Sequence, residues 1–159
     1  MIQQSYYGDS DDSKWVEKPW CLNPVQGGDY KGALPQLLET KVGDARLYSK
    51  SIPLHWATGE KLVDFKLEQW IELKKDLVHV RFRMSYKGKE SHAPRHQEIP
   101  AVFLDPSLSD LVLYQGKSPW TGSPLVRKQP GQTNEYFDIP ERWAAFVGED
   151  GIGVGVCVP

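Results

Sequence analysis

From Val63 onward the chain alternates. Val63, Phe65, Leu67, Gln69, Ile71 and Leu73 fall on one side, and Asp64, Lys66, Glu68, Trp70 and Glu72 on the other. Successive side chains of a strand point to opposite faces, so this run predicts a long half-buried strand. After Lys74-Lys75-Asp76 the pattern resumes, with Val78, Val80, Phe82, Met84 and Tyr86 set against His79, Arg81, Arg83 and Ser85. The two runs predict an antiparallel hairpin about that charged turn, with Lys87-Gly88-Lys89 closing its second strand. Across its polar face, Glu68 or Glu72 is expected to meet Arg81 or Arg83 in solvated, weakly stabilising pairs. A second hairpin is expected where Trp143, Ala145 and Val147 alternate before Gly148-Glu149-Asp150-Gly151, and Ile152, Val154, Val156 and Val158 alternate after it. Trp143 then belongs to the core. Gly151, Gly153 and Gly155 remove side chains from one face, as happens where a neighbouring backbone or a ligand comes close.

Shorter strands are expected at 37–39, 46–51, 99–104, 111–114 and 135–137, separated by turn sequences such as DPSLSD, GKSPWTGSP and KQPGQTN. Short strands with Gly- and Pro-rich turns predict an all-β fold, an antiparallel β-sandwich with short loops and little helix. No helical period with caps, no internal repeat and no linker is visible. One domain over residues 1–159 is therefore expected, a length at which a core can form without disulfides or a structural metal.

Composition changes the picture in two places. Six Trp and seven Tyr in 159 residues supply aromatic surface for packing or for a ligand. A formal net charge of −2 offers no overall basic field, so neither nucleic acid nor an anionic membrane is an expected partner. No apolar run approaches the ~20 residues that span a bilayer. The opening MIQQSYYGDSDDSKW lacks a basic segment followed by an apolar one, so no export signal is read. An extracellular or periplasmic location is expected only if the chain is an excised mature segment. Cys21 and Cys157 are read as free thiols ahead of a terminal staple, and oligomeric state is not legible.

The stretch HAPRHQEIPAVFLD, residues 92–105, holds the clearest candidate chemistry. His96 and Glu98 are two apart, so on a strand they share a face. An imidazole beside a carboxylate can exchange protons at neutral pH, with Glu98 as base and His96 as acid. The alternative is a polar rim that orients the loop. His92 is separated from His96 by Pro94, which disfavours a helix, and His55 or His79 could complete a ligand set only through tertiary folding, so no metal site is expected. Asn23, Gln26 and Asp29 sit among turn residues, where they either build Asx-type turns or read sugar hydroxyls. Trp56 and Trp120 lie in Pro- and Gly-containing loops, as does Trp20, each either folded onto the core or exposed as a stacking platform. GIGVG lacks both the following helix and the spacing of a dinucleotide loop, and no cofactor is expected. No nucleophilic Ser turn or phosphate loop is present. Glu68, Glu98, Asp138 and Glu141 supply carboxylates for glycoside chemistry, whose mechanism depends on their separation.

Taken together, IQQSYYG, NPVQGGD, HQEIPAVF, SPWTG and RWAAFV followed by GIGVGV resemble stretches of the galactose mutarotase-like β-supersandwich proteins of bacterial carbohydrate metabolism. Proteins of that superfold are considerably longer, which implies that this chain is a piece or a trimmed version. The resemblance implies His and acidic residues on a concave sheet face that move protons at an anomeric centre or beside a uronate, and it matches His96 and Glu98 to those roles. Three functions stay open. The first is a carbohydrate-recognising sandwich, on its own or as part of a glycan-processing enzyme, that binds an oligo- or polysaccharide. In it aromatics stack on sugar faces in a groove with His92, while Asn23, Gln26, Asp29 and Glu98 read hydroxyls. The second is an epimerase, lyase or glycosidase using the His96/Glu98 pair. The third is a structural or protein-interaction sandwich without a small ligand.

Overall fold

A computed structural model of the chain describes residues 1–8, 22–92, 97–131 and 135–159. No helix occurs among them. The strands are β1 (Ile2–Ser5), β2 (Pro24–Val25), β3 (Gln36–Gly43), β4 (Arg46–Ile52), β5 (Leu54–His55), β6 (Phe65–Lys74), β7 (Leu77–Tyr86), β8 (Glu98–Val102), β9 (Asp110–Leu113), β10 (Val126–Lys128), β11 (Trp143–Val147) and β12 (Gly153–Cys157). Every pairing is antiparallel. The fold class is thus the all-β, sandwich-like one that the alternation predicts. The residues form two compact units, 1–102 and 103–159.

The first unit holds two four-stranded sheets, ordered β5-β2-β1-β8 and β3-β4-β6-β7. The expected central hairpin is β6 and β7, paired over ten residues from Phe65 opposite Tyr86 to Lys74 opposite Leu77. Its turn is the two residues Lys75 and Asp76, and Lys75 takes a left-handed φ of 57°. That sign suits the right-handed twist of a two-residue hairpin.

Phe65 and Leu67 on β6 are buried, as are Val25, Leu54 and Ala101 on the other sheet. Between the sheets runs a polar seam that bonds one to the other. Gln4 Nε2 donates to the Glu68 carbonyl at 2.9 Å, and Gln26 Nε2 donates to Gln69 Oε1 at 2.9 Å. Gln69 Nε2 reaches the Ile2 carbonyl at 3.4 Å. Buried amides without partners are costly, so this seam fixes the register of β1 on β6 more tightly than apolar contact alone would.

The second unit is one four-stranded sheet, ordered β10-β9-β11-β12. Leu111, Leu113 and Tyr114 are its buried apolar residues. The expected second hairpin is β11 and β12, with Trp143 opposite Cys157. Trp143 is half-buried. At Gly153 an added Cβ would stand 2.5 Å from the Phe146 carbonyl oxygen, so the glycine does mark a close backbone approach.

Several expectations are corrected. Residues 135–137 form no strand, whereas β1, β2, β5 and β10, none of them expected, do. The first of these lies in IQQS, whose polar composition hides a strand because its buried face bonds amides. Cys157 is a free, exposed thiol, and Cys21 lies outside the described residues.

Candidate functional site

The sheet β3-β4-β6-β7 buries one face at its Phe65–Gln69 end and presents the other to solvent. Residues paired across strands share a face. Register therefore gathers Glu39 and Lys41 of β3, Arg46, Tyr48 and Lys50 of β4, Lys66, Glu68, Trp70, Glu72 and Lys74 of β6, and His79, Arg81 and Arg83 of β7 on the open side. Of these, Trp70 sits at the centre, opposite Tyr48 on one flank and Arg81 on the other. A recess of about 980 Å³ opens there, with Tyr48, Trp70, Glu72, Arg46, His79 and Arg81 among its lining residues.

The two rings meet at 5.1 Å between centroids, tilted by 36°. The Arg81 guanidinium lies over the Trp70 ring at 4.4 Å and that of Arg83 at 5.3 Å, while Lys41 Nζ stands 5.6 Å from the Tyr48 centroid. At solvent-exposed sites such cation–π contacts are worth about 0.5–1 kcal/mol each. Carboxylates alternate with the cations. Glu68 accepts the Tyr48 hydroxyl at 2.7 Å and lies 3.8 and 3.9 Å from Lys50 and Arg83. Glu72 accepts Arg46 Nε at 2.8 Å and pairs with Lys74 at 3.0 Å. Of the expected cross-strand pairs, Glu68 with Arg83 forms. Arg81 instead stacks on Trp70 and has no carboxylate partner among the described residues.

These contacts move proton affinities in definite directions. The hydrogen bond to Glu68 holds the Tyr48 phenol in its neutral form and pushes its pKa up to about 12. Hydrogen bonding to Lys74, joined by Arg46, lowers that of Glu72, and Lys41 lowers that of Glu39 in the same way.

The residues singled out from sequence are placed differently. Asn23 is buried, donating from Nδ2 to Ser5 Oγ at 3.3 Å and to the Tyr6 carbonyl at 2.8 Å. Gln26 belongs to the inter-sheet seam. Asp29 Oδ1 accepts the Lys31 and Ala33 amides at 3.0 and 2.7 Å, an Asx-type turn. Asp29 alone forms a turn of the expected kind, while Asn23 and Gln26 bond to other strands. Trp56 lies against Tyr30 with centroids 5.6 Å apart. Glu98 is exposed on β8 opposite Ser5, and His96, like Trp20, lies outside the described residues.

His92 Nδ1 and the Tyr6 hydroxyl are 3.1 Å apart, with the Tyr86 ring 5.3 Å away, in a cluster continued by Phe65. Neither Tyr6 nor Tyr86 stands out in sequence as a site residue. In the second unit Trp120 is 71% exposed and takes a φ of 61°, a conformation rare for a bulky side chain. Its amide donates to Glu141 Oε1 at 2.7 Å, while Trp143 Nε1 donates to Glu141 Oε2 at 2.8 Å. Among the described residues no group of three or more His, Cys, Asp or Glu could hold a metal ion.

The sequence marks Trp70 only as part of a strand, and Arg81 only as a strand residue and cross-strand ion-pair partner. The available signal was a tryptophan on the charged side of an alternating run, where a large ring has no core to enter. Comparison of the chain with family models, curated proteins and solved structures finds no match.

Proposed function

We propose that this all-β protein recognises carbohydrate, and that the open face of β3-β4-β6-β7 is its binding surface. The observation that carries the reading is the recess over Trp70 and Tyr48, where hydrogen-bond donors and acceptors alternate at close spacing around an aromatic pair. Sugar hydroxyls both donate and accept, so they fit a mixed set of guanidinium, ammonium, imidazole and carboxylate groups. Binding sites for small ligands combine aromatic lining with a few placed polar groups. The reading also accords with the resemblance to proteins of carbohydrate metabolism.

Isothermal titration against an oligosaccharide panel tests this. At least one saccharide should bind, and Trp70→Ala should weaken it about tenfold, or 1.4 kcal/mol, because it removes the ring against which Arg81 and Arg83 are held. Wild-type far-UV circular dichroism in the variant shows that the sheet is intact. Equal affinity in a folded Trp70→Ala protein refutes the site.

An enzymatic reading has one observation in its favour, the contact of the Tyr6 hydroxyl with His92 Nδ1. A phenol and an imidazole in hydrogen-bond contact can pass a proton to and from a bound sugar. Here Glu98 and His96 remain the proposed acid–base pair, with Tyr6 and His92 a second. Product formation that disappears in both Glu98→Gln and His92→Gln, with glycan binding retained, would establish it.

A further inference from the structure

Resting on the carbohydrate reading, we infer that the saccharide bound on this face is acidic, and that the Arg81 guanidinium stacked on Trp70 receives its carboxylate or sulfate. The first support is the local charge. The open face carries seven cations, Lys41, Arg46, Lys50, Lys66, Lys74, Arg81 and Arg83, against the three carboxylates Glu39, Glu68 and Glu72, a net of +4 with His79 neutral. The whole chain is at −2. One sheet face therefore stands opposite in sign to the rest of the protein, and such a field draws anions to it.

The second support is the state of each cation. Arg46 and Lys74 are paired with Glu72, Lys41 with Glu39, and Lys50 and Arg83 lie near Glu68, while the Lys66 ammonium has no carboxylate partner among the described residues. Arg81 is the guanidinium that faces solvent without a carboxylate among the described residues. A guanidinium held flat against an indole keeps its planar fork of N–H donors in one orientation. Less rotamer freedom is then lost when a carboxylate or sulfate takes the fork bidentately.

The third support separates a saccharide from a polynucleotide. Single-stranded nucleic acids bind through free aromatic faces on which bases stack. Arg81 and Arg83 cover Trp70, and Lys41 stands over Tyr48. The carboxylates interleaved with the cations accept hydrogen bonds from hydroxyls, which an acidic sugar has beside its charged group.

The test titrates the full chain with four probes: an oligogalacturonate, a chondroitin sulfate oligosaccharide, a neutral cello-oligosaccharide of equal length, and oligo-dT. One or both acidic saccharides should bind most tightly. Arg81→Gln should weaken that binding about ten- to hundredfold, the 1.5–3 kcal/mol typical of a hydrogen bond to a charged group. Arg81→Lys should restore little of it, because an ammonium cannot reproduce the fork. Circular dichroism and a thermal melt confirm that both variants fold. Equal binding of the neutral saccharide, indifferent to Arg81→Gln, overturns the acidic inference and leaves the carbohydrate reading standing. Silence with all saccharides overturns both. Oligo-dT binding as tight as that of the acidic saccharides, with the same loss in Arg81→Gln, overturns the inference in favour of a nucleic-acid surface.

Discussion

Tyr48 and Glu141 show how much a single side chain can settle. The phenol of Tyr48 gives its proton to Glu68, and ionising it would set a phenolate against a carboxylate. Its pKa rises from 10.0 to about 12 for that reason. A pKa raised by folding contributes stability that is complete below the unfolded value near 10 and is lost as pH climbs through about 12. Ultraviolet titration of phenolate should show a tyrosine ionising near 12 that is absent in Tyr48→Phe. Glu141 uses both carboxylate oxygens structurally, one on the Trp120 amide and one on the Trp143 indole. Glu141→Ala removes two hydrogen bonds to a buried charge and leaves two donors without it. A loss of about 2–4 kcal/mol in urea unfolding is expected. Glu141→Gln should lose less, since the amide oxygen still accepts one donor. A loss below about 0.5 kcal/mol for the alanine variant would mean that the Trp120 loop is held by something else.

At the scale of elements, the β6–β7 hairpin depends on its two-residue turn. Lys75 occupies the left-handed region, where a β-branched side chain clashes with its own backbone. Lys75→Val should therefore be less stable than Lys75→Gly by about 1–2 kcal/mol, measured as the difference between their denaturation midpoints multiplied by a common m-value. Equal stabilities would place the turn elsewhere. This hairpin was the most legible part of the sequence, because a period of two over ten residues has no competing explanation. The second hairpin was legible for the same reason. Strands β1, β2 and β5 were not, since two of them are only two residues long and the third, IQQS, buries glutamines whose partners are far away in the chain. Residues 135–137, by contrast, have strand-like composition but no ladder partner among the described residues, and pairing rather than propensity makes a strand.

At the scale of the whole molecule, a net charge of −2 is a sum over surfaces that differ in sign. That sum led away from nucleic acid and anionic membranes. Only strand register shows that cations from β3, β4, β6 and β7 collect on one face, because the residues involved span Glu39 to Arg83 and no local motif joins them. Sequence reasoning looked for the site in loops, where His, Asn and Trp cluster in short stretches. Asn23, Gln26 and Asp29 are instead occupied in holding turns and sheets together. A field from one face has a measurable consequence that hydrogen bonding to neutral sugars lacks. The Debye length shrinks from about 10 Å at 0.1 M salt to about 3 Å at 1 M, so attraction between the +4 face and an acidic saccharide is screened over that range. Its affinity should fall severalfold between those salt concentrations, with the change concentrated in the association rate, because long-range steering is lost first while the stacked Arg81 fork still holds the bound ligand. Affinity for any neutral saccharide should stay level across the same series. In Arg81→Gln the residual affinity for the acidic saccharide should remain salt-dependent, since six of the seven cations are still in place. A salt-independent affinity in the unmodified protein would show that the face recognises shape and hydroxyls alone, and that its charge serves the register of the sheet.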